Sequence, residues 1–346
     1  MPQPFFTIGV TTYNRRELLK QTLASILAQT FSDFEVIVGN DYTDEVLSGG
    51  LFGISDPRIR FVNHPRNLQE VGNMNALLAM ASGRYFTWLA DDDLYDPGFL
   101  RMAHELLEKT GYPPGFFSSY RIFRGTDPPK SEEIPRGSIR VLSGRDFLGG
   151  YVAGTLKIIS VYGLFDTGKL RSVVGGIEGL CASSVGLHAE YFFLIRCALL
   201  ERIAYLDSPF VLFRAHAGSW GGTNMELDKY REAGTELIRR SGEVLRDPSL
   251  SGDLSKHLLT ICGIHMHQYA GKLGITNVSQ GKYGAAAMLT AMSSFSAEVA
   301  RVRRLYVEAG GADGLHDMLG FAWFRCKYGL LIVGIIAANW LKGSRV

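Results

Sequence analysis

The first hundred residues alternate short apolar runs with amphipathic stretches. FFTIGV (5–10) reads as a buried strand, and RRELLKQTLASILAQ (15–29) brings Leu19, Leu23, Ile26 and Leu27 to one helical face. FEVIVGND (34–41) predicts a second strand, IRFVN (59–63) a third and RYFTWLA (84–90) a fourth, with a helix over VGNMNALLAMAS (71–82) that Gly83 ends. Strands alternating with helices at this spacing predict βαβ units: an α/β fold with a mainly parallel sheet flanked by helices, whose ligands sit beyond the carboxyl ends of the strands. Polar clusters stand at those ends, with TTYN after the first strand, NDYTD after the second and DDD after the fourth. Asp96 and Pro97 read as the N-cap and first-turn residue of a helix through LRMAHELLEK.

Beyond residue 110 the pattern loosens. GFFSSYRIF (115–123) is strand-like, and the prolines and charges of TDPPKSEEIPRG mark a surface loop. The Gly-rich middle (144–186) shows no usable period. EYFFLIRCALLE (190–201) reads as a helix, IAYL as a strand, VLFRAHAGSWGGTN as a strand followed by a mobile loop, and everything from Glu226 as helical. The expected division is an α/β domain over 1–224 and a helical C-terminal region over 225–346. Near its end, YGLLIVGIIAANWL (328–341) is an apolar run of 14 residues, short of the ~20 that a helix needs to cross a bilayer. Arg325, Lys327, Lys342 and Arg345 flank it, with Arg301, Arg303 and Arg304 upstream. Two readings stay open: a helix lying in the interface of an anionic membrane, or one docked on the protein's own core.

Composition narrows the class. With 46% hydrophobic and 20% charged residues among 346, disorder is excluded, and 36 Lys plus Arg against 34 Asp plus Glu leave a net charge of +2, too little for general nucleic-acid binding. Four scattered cysteines form no CxxC pair, which fits a reducing, cytoplasmic setting, and MPQPFFTIGV lacks the features of a secretory signal.

Asp91, Asp92 and Asp93 pose an electrostatic problem, because like charges so close raise one another's pKa unless a cation neutralises them. A hard divalent ion solves it. Mg²⁺ typically takes one or two protein carboxylates and completes its shell with water and phosphate oxygens, which points to a nucleoside diphosphate ligand. The competing reading is an acidic turn stabilised by the dipole of the next helix. His265 and His267 in HMH point apart on a helix, which argues against a metal site there.

These segments resemble the family 2 glycosyltransferases, nucleotide-diphospho-sugar transferases of the Rossmann-like GT-A fold. TTYN followed by RRELLKQTLASILAQTFSDFEVIV is similar to that family's first strand, helix and second strand, and GRYFTWLADDDLYDP to its metal segment. The resemblance implies that Thr11, Tyr13, Asn14 and Asn75 hold the nucleotide, that Asp41 meets the base and Asp91 the ribose, and that Asp92 and Asp93 hold a divalent metal, Mn²⁺ or Mg²⁺, on the diphosphate. Ala90 stands where the family usually has aspartate, which leaves open which of the three aspartates binds metal directly. Glu190 in HAEYFFLIR matches the acidic position that serves as general base, and Arg196 the trailing arginine. His216 in FRAHAGSW matches a loop histidine that completes the metal shell or touches the diphosphate, and Arg214 is placed to offset phosphate charge.

The implied activity is inverting, metal-dependent transfer of a sugar from a nucleotide-sugar donor such as a UDP-sugar to a hydroxyl of a glycan or lipid-linked glycan, at the cytoplasmic face with peripheral membrane contact. Two alternatives stand beside it: a nucleotidyltransferase that makes the nucleotide sugar, and a non-catalytic nucleotide- or glycan-binding partner. The first would carry a Gly-rich, basic phosphate loop after the first strand, and TTYNRRE has no glycine.

Overall fold

The computed structural model describes residues 3–125, 127, 137–216 and 226–343. Most of the expected TDPPKSEEIPRG loop, the stretch 217–225 and Arg345 lie outside the described residues. The chain divides into two compact units: Met1–Glu178 with Ser184–Gly186 and Phe193–Gly222, and Gly179–Ser183 with Leu187–Phe192 and Thr223–Val346.

The first unit is built on a mixed sheet. Its elements are β1 (Phe6–Thr12), α1 (Arg16–Leu27), β2 (Phe34–Asn40), α2 (Gly49–Phe52), β3 (Ile59–Asn63), α3 (Gln69–Met80), β4 (Tyr85–Ala90), β5 (Leu94–Tyr95), α4 (Phe99–Lys109), β6 (Gly115–Arg124), β7 (Ile139–Leu142), α5 (Gly144–Val152), β8 (Leu164–Asp166) and α6 (Thr167–Lys169). Next come α7 (Ala189–Cys197), which begins in the second unit and ends in the first, and β9 (Ile203–Ala215). Strand order is β3-β2-β1-β4-β8-β6-β9-β5, with β7 on β9. The pairings β3–β2, β2–β1, β1–β4 and β6–β9 are parallel; those of β5, β7 and β8 are antiparallel. Because β1 is central and covered on both faces, Phe6, Ile8 and Val10 on one side and Thr7 on the other are all fully buried. Trp88 of β4 is sealed beneath α3, its indole N–H donating to the Met74 carbonyl at 2.9 Å.

Several boundaries differ from the sequence expectation for identifiable reasons. β1 continues through Thr11 and Thr12 because β2 and β4 still offer ladder partners there, Thr11 lying beside Gly39 and Ala90 and Thr12 beside Asn40. Asp96 is not the N-cap of α4; Gly98 is, and the Asp96 carboxylate accepts the Gly98 N–H at 2.9 Å in a turn ahead of the helix. α7 stops at Cys197 rather than 201. The IAYL and VLF segments are one strand, β9, kept continuous by a bulge: Ser118 pairs with Leu206 but Ser119 with Pro209, leaving Asp207 and Ser208 extra. The Gly-rich middle forms α5, capped by Ser143 whose hydroxyl accepts the Asp146 N–H, then β8, α6 and a wide turn over Leu170–Val174.

The second unit is helical: α8 (Leu227–Val244), α9 (Leu254–Ser279), α10 (Gly284–Glu308) and α11 (Leu315–Gly343). His265 of α9 is fully buried, and Gly234 of α8 leaves room for its ring, which any side chain at 234 would strike. His265 Nδ1 lies 3.1 Å from His188 Nε2, and its Nε2 lies 3.3 Å from the buried Glu298 carboxylate, which also takes Arg301 and Arg231. The His265/His267 pair is therefore split as expected, His265 inward and His267 against the Tyr328 ring.

The C-terminal apolar run belongs to a longer helix. It is the second half of the 29-residue α11, and Leu315–Leu341 is long and apolar enough, by length and composition, to cross a membrane. The apolar pattern continues upstream through LGFAWF, so Arg325 and Lys327 interrupt the segment rather than bound it. Part of the helix is docked within the unit: Phe324 and Tyr328 lie over Gly263, and Ile335 over Gly274.

Two predictions follow from this packing. A Cβ at Gly83 would stand 2.6 Å from the Thr7 backbone nitrogen, so Gly83→Ala should destabilise the first unit by about 1–3 kcal/mol in urea denaturation. Burial opposes the charge of Glu298, yet hydrogen bonds from His265 and Arg301 outweigh it and hold the pKa down to about 2. A depressed folded-state pKa contributes stability above the ordinary carboxylate range, and that contribution fades as pH falls towards 2. Glu298→Gln should thus lower the melting temperature clearly at neutral pH and by much less near pH 3.

Candidate active site

The parallel run β3-β2-β1-β4 brings the carboxyl ends of β1, β2 and β4 to one edge of the sheet. Asn14 sits in the left-handed region at φ 53°, a conformation asparagine tolerates, and turns the chain from β1 into α1. That turn returns Thr12, Tyr13 and Arg15 towards the end of β4.

The three aspartates are treated differently. Asp91 accepts the Thr12 hydroxyl at 2.7 Å, the Arg15 guanidinium at 3.3 Å and the Tyr13 backbone N–H. Asp93 accepts the Arg214 backbone N–H at 2.6 Å on one oxygen and the Tyr162 hydroxyl on the other. Burial, with the neighbouring Asp92 charge second, pushes Asp91 up to about 6 and Asp93 up to about 7. Asp92 places Oδ2 2.8 Å from Arg15 Nη1 and 2.9 Å from His216 Nε2. The backbone of the triplet is fixed as well. Arg214, buried against Phe123, donates to the Asp92 carbonyl at 2.8 Å, the Gly125 carbonyl at 2.8 Å and Gln21 Oε1 at 2.7 Å, while Thr22 donates to the Asp93 carbonyl at 2.9 Å.

The other expected site residues fall into three groups. Asp41 adjoins the cluster: its N–H donates to the Thr12 carbonyl at 3.1 Å, and its carboxylate accepts the Leu68 N–H at 2.6 Å, joining the end of β2 to the start of α3. Tyr13 meets Tyr42 edge to face at 5.4 Å between ring centroids, and Thr11 is half-buried beside Ala90. Asn75 engages another segment, its amide forming two hydrogen bonds with the Ile177 backbone at 2.7 and 2.9 Å, while Arg196 binds the neighbouring Gly176 carbonyl and Glu178. Glu190 is exposed in the first turn of α7, where an acidic side chain suits the helix dipole, and it belongs to the second unit.

For a divalent ion, the donor chemistry fits one carboxylate. Asp92 and His216 converge, and an oxygen–nitrogen pair of this kind suits Mn²⁺ or Mg²⁺ that draws the rest of its shell from diphosphate and water. Asp91 and Asp93 direct their oxygens to protein donors. Among the described residues no cluster of three His, Cys, Asp or Glu side chains is arranged to hold a metal.

Comparison with known proteins decides the lineage. Residues 7–155 match the profile of glycosyl transferase family 2. A GalNAc(5)-diNAcBac-PP-undecaprenol beta-1,3-glucosyltransferase of Campylobacter jejuni is 36% identical over 222 residues, covering 59% of this chain and 67% of that protein. The chain belongs to glycosyl transferase family 2. An uncharacterized glycosyltransferase of Haemophilus influenzae is 30% identical over 111 residues, 32% of this family 2 chain and 34% of that protein, so the match spans about a third of that relative's length. In fold, S. aureus TarS is similar with a TM-score of 0.58 at 16% identity, covering 94% of this chain and 91% of the TarS chain. TarS in complex with UDP-GlcNAc gives a TM-score of 0.51 at 14% identity, covering 81% and 93%. These likenesses support the GT-A architecture expected from the sequence.

Sequence reasoning missed Arg15 and Tyr162 and gave Arg214 an outward role. Arg15 had a signal, since a cation adjoining TTYN is what three carboxylates across the sheet edge require. Tyr162 had none. Arg214→Met should leave the buried Asp92 carbonyl without this donor, remove the bonds to Gly125 and Gln21, and lower unfolding stability by about 3 kcal/mol. The exposed Arg124→Met control should change it by less than about 0.5 kcal/mol in the same denaturation experiment.

Proposed function

We propose that this family 2 protein is an inverting glycosyltransferase that moves a sugar from a nucleoside diphosphate donor, a UDP-sugar, to a hydroxyl of a lipid-linked glycan at the cytoplasmic membrane face. The observation carrying this reading is the convergence of Asp92 and His216 beside Thr11, Tyr13 and Asp41 at one sheet edge. The UDP-GlcNAc complex of TarS and the undecaprenol-linked acceptor named for the Campylobacter relative support the donor and acceptor classes.

In this reading residues 1–224 form the catalytic domain, Tyr13, Thr11 and Asn14 border the nucleotide, and Asp41 faces its base. Asp92 and His216 hold the Mn²⁺ or Mg²⁺, which when bound neutralises diphosphate charge. Asp91 and Asp93 act inward, fixing the end of β4 so that Asp92 is presented in one orientation. Glu190 serves as general base: as the acceptor oxygen bonds to the anomeric carbon, the bond from that carbon to the diphosphate oxygen breaks, and the hydroxyl proton passes to the Glu190 carboxylate.

Calorimetric titration of UDP with and without Mn²⁺ tests the site. Asp92→Asn and His216→Ala should each weaken the metal-dependent part of UDP binding by at least ~10-fold, the loss expected for a ligand or its close support. Unchanged metal dependence in both variants overturns their role. Glu190→Gln should lower turnover by ~10²–10⁴ with UDP affinity preserved, and the product should carry the anomer opposite to the donor's; a retained anomer or full activity excludes this mechanism.

A further inference from the structure

The part of α11 that does not pack inside the second unit is also apolar. Leu315, Leu319, Trp323, Leu330, Trp340 and Leu341 are each at least half exposed, between 50% and 73%. On a helix advancing ~100° per residue they return to one side. Arg325 and Lys327, both exposed, fall on opposite edges of this stripe. The one acidic residue of α11, Asp317, is buried and accepts a hydrogen bond from the Tyr306 hydroxyl at 2.7 Å, so no carboxylate interrupts the exposed side.

We propose that this face of α11 is a membrane-docking surface that lies in the plane of an anionic lipid leaflet. The stripe would sit among the upper acyl chains, the two tryptophans at headgroup level, and Arg325 and Lys327 would reach lipid phosphates from either edge. The same two cations argue against crossing the bilayer, because a spanning placement would carry them to its middle, where charge is costly. The packed side argues likewise, since Phe324, Tyr328 and Ile335 are committed to α9. Cations bordering an apolar stripe complement a surface with phosphates above hydrocarbon better than they complement a second copy of the same stripe and the same cations. The surface extends the membrane location proposed above, but it rests on α11 alone, so vesicle binding and sugar transfer fail independently.

The test is co-sedimentation of the full chain with phosphatidylcholine vesicles, with and without phosphatidylglycerol, alongside sedimentation velocity without lipid. The wild-type chain should bind the anionic vesicles, and Leu319→Glu and Leu330→Glu, both at exposed positions, should each weaken binding by at least ~10-fold while circular dichroism stays unchanged. Arg325→Gln with Lys327→Gln should remove the preference for phosphatidylglycerol and its salt sensitivity. Transfer to a water-soluble acceptor should survive all these changes. A wild-type chain that binds neither vesicle, or stripe variants that bind as the wild type does, overturns the proposal; so does a dimer that Leu330→Glu dissolves without any vesicle binding, which would give the face to a second copy.

Discussion

Three consecutive carboxylates buried at the end of β4 are the constraint around which the first unit is arranged. Charges so close and so dry stay ionised only with dense compensation, and burying them without it costs more than most single interactions return. The compensating groups arrive from separate parts of the chain: Thr12 and Tyr13 from the end of β1, Arg15 ahead of α1, Tyr162 from the turn before β8, and Arg214 and His216 from the end of β9. No local sequence could supply them. The sheet order does, by placing β1 beside β4 and by returning β9, past its bulge, to the level of the triplet.

The triplet divides its work by orientation. Asp91 and Asp93 satisfy their oxygens with inward donors, and proton affinity raised by burial is the cost of that placement. Asp92, between them, is left facing His216 and Arg15. The chain turns after Ala90, the Asp93 N–H donating to the Ala90 carbonyl at 3.4 Å, and the three carboxylates leave that turn towards different partners. The hydrogen bonds of the flanking pair tie the backbone on either side of Asp92 to β1 and β9. On the reading proposed above, Asp92 is then the carboxylate offered to a metal, with His216 beside it.

What the sequence made legible follows the same physics. β2 and β4 were readable because strands buried on both faces are mostly apolar, and the chemistry was readable because ligand groups crowd the residues just past such strands. The C-terminal helices were readable because nothing after Glu226 alternates as a strand does. The Gly-rich middle was not, since α5, β8 and the turn holding Tyr162 are short and fixed by contacts from elsewhere, such as Asn75 and Arg196 gripping residues 176–178. Arg214 shows a subtler limit: its residue type predicted a phosphate partner, whereas burial committed its guanidinium to backbone carbonyls of the triplet and of Gly125. Residue type indicates which charges must be met, and only the fold indicates by whom.

The helix α11 exposes a different weakness of pattern reading. A hydropathy window averages around the helix, so a segment apolar on two opposite sides gives the same signal as one buried in a core or one spanning lipid. Its 14-residue run appeared too short to cross a bilayer because two cations broke the window, yet the helix continues upstream with the same character. Packing separates the sides. Once Phe324, Tyr328, Ile332 and Ile336 are assigned to the interior of the second unit, the remaining apolar residues are those that folding of the unit does not explain. Leu319, Trp323 and Leu330 would be replaceable by polar residues if water were their only neighbour, and a row of them between cations implies a medium that is hydrocarbon on one side and charged on the other.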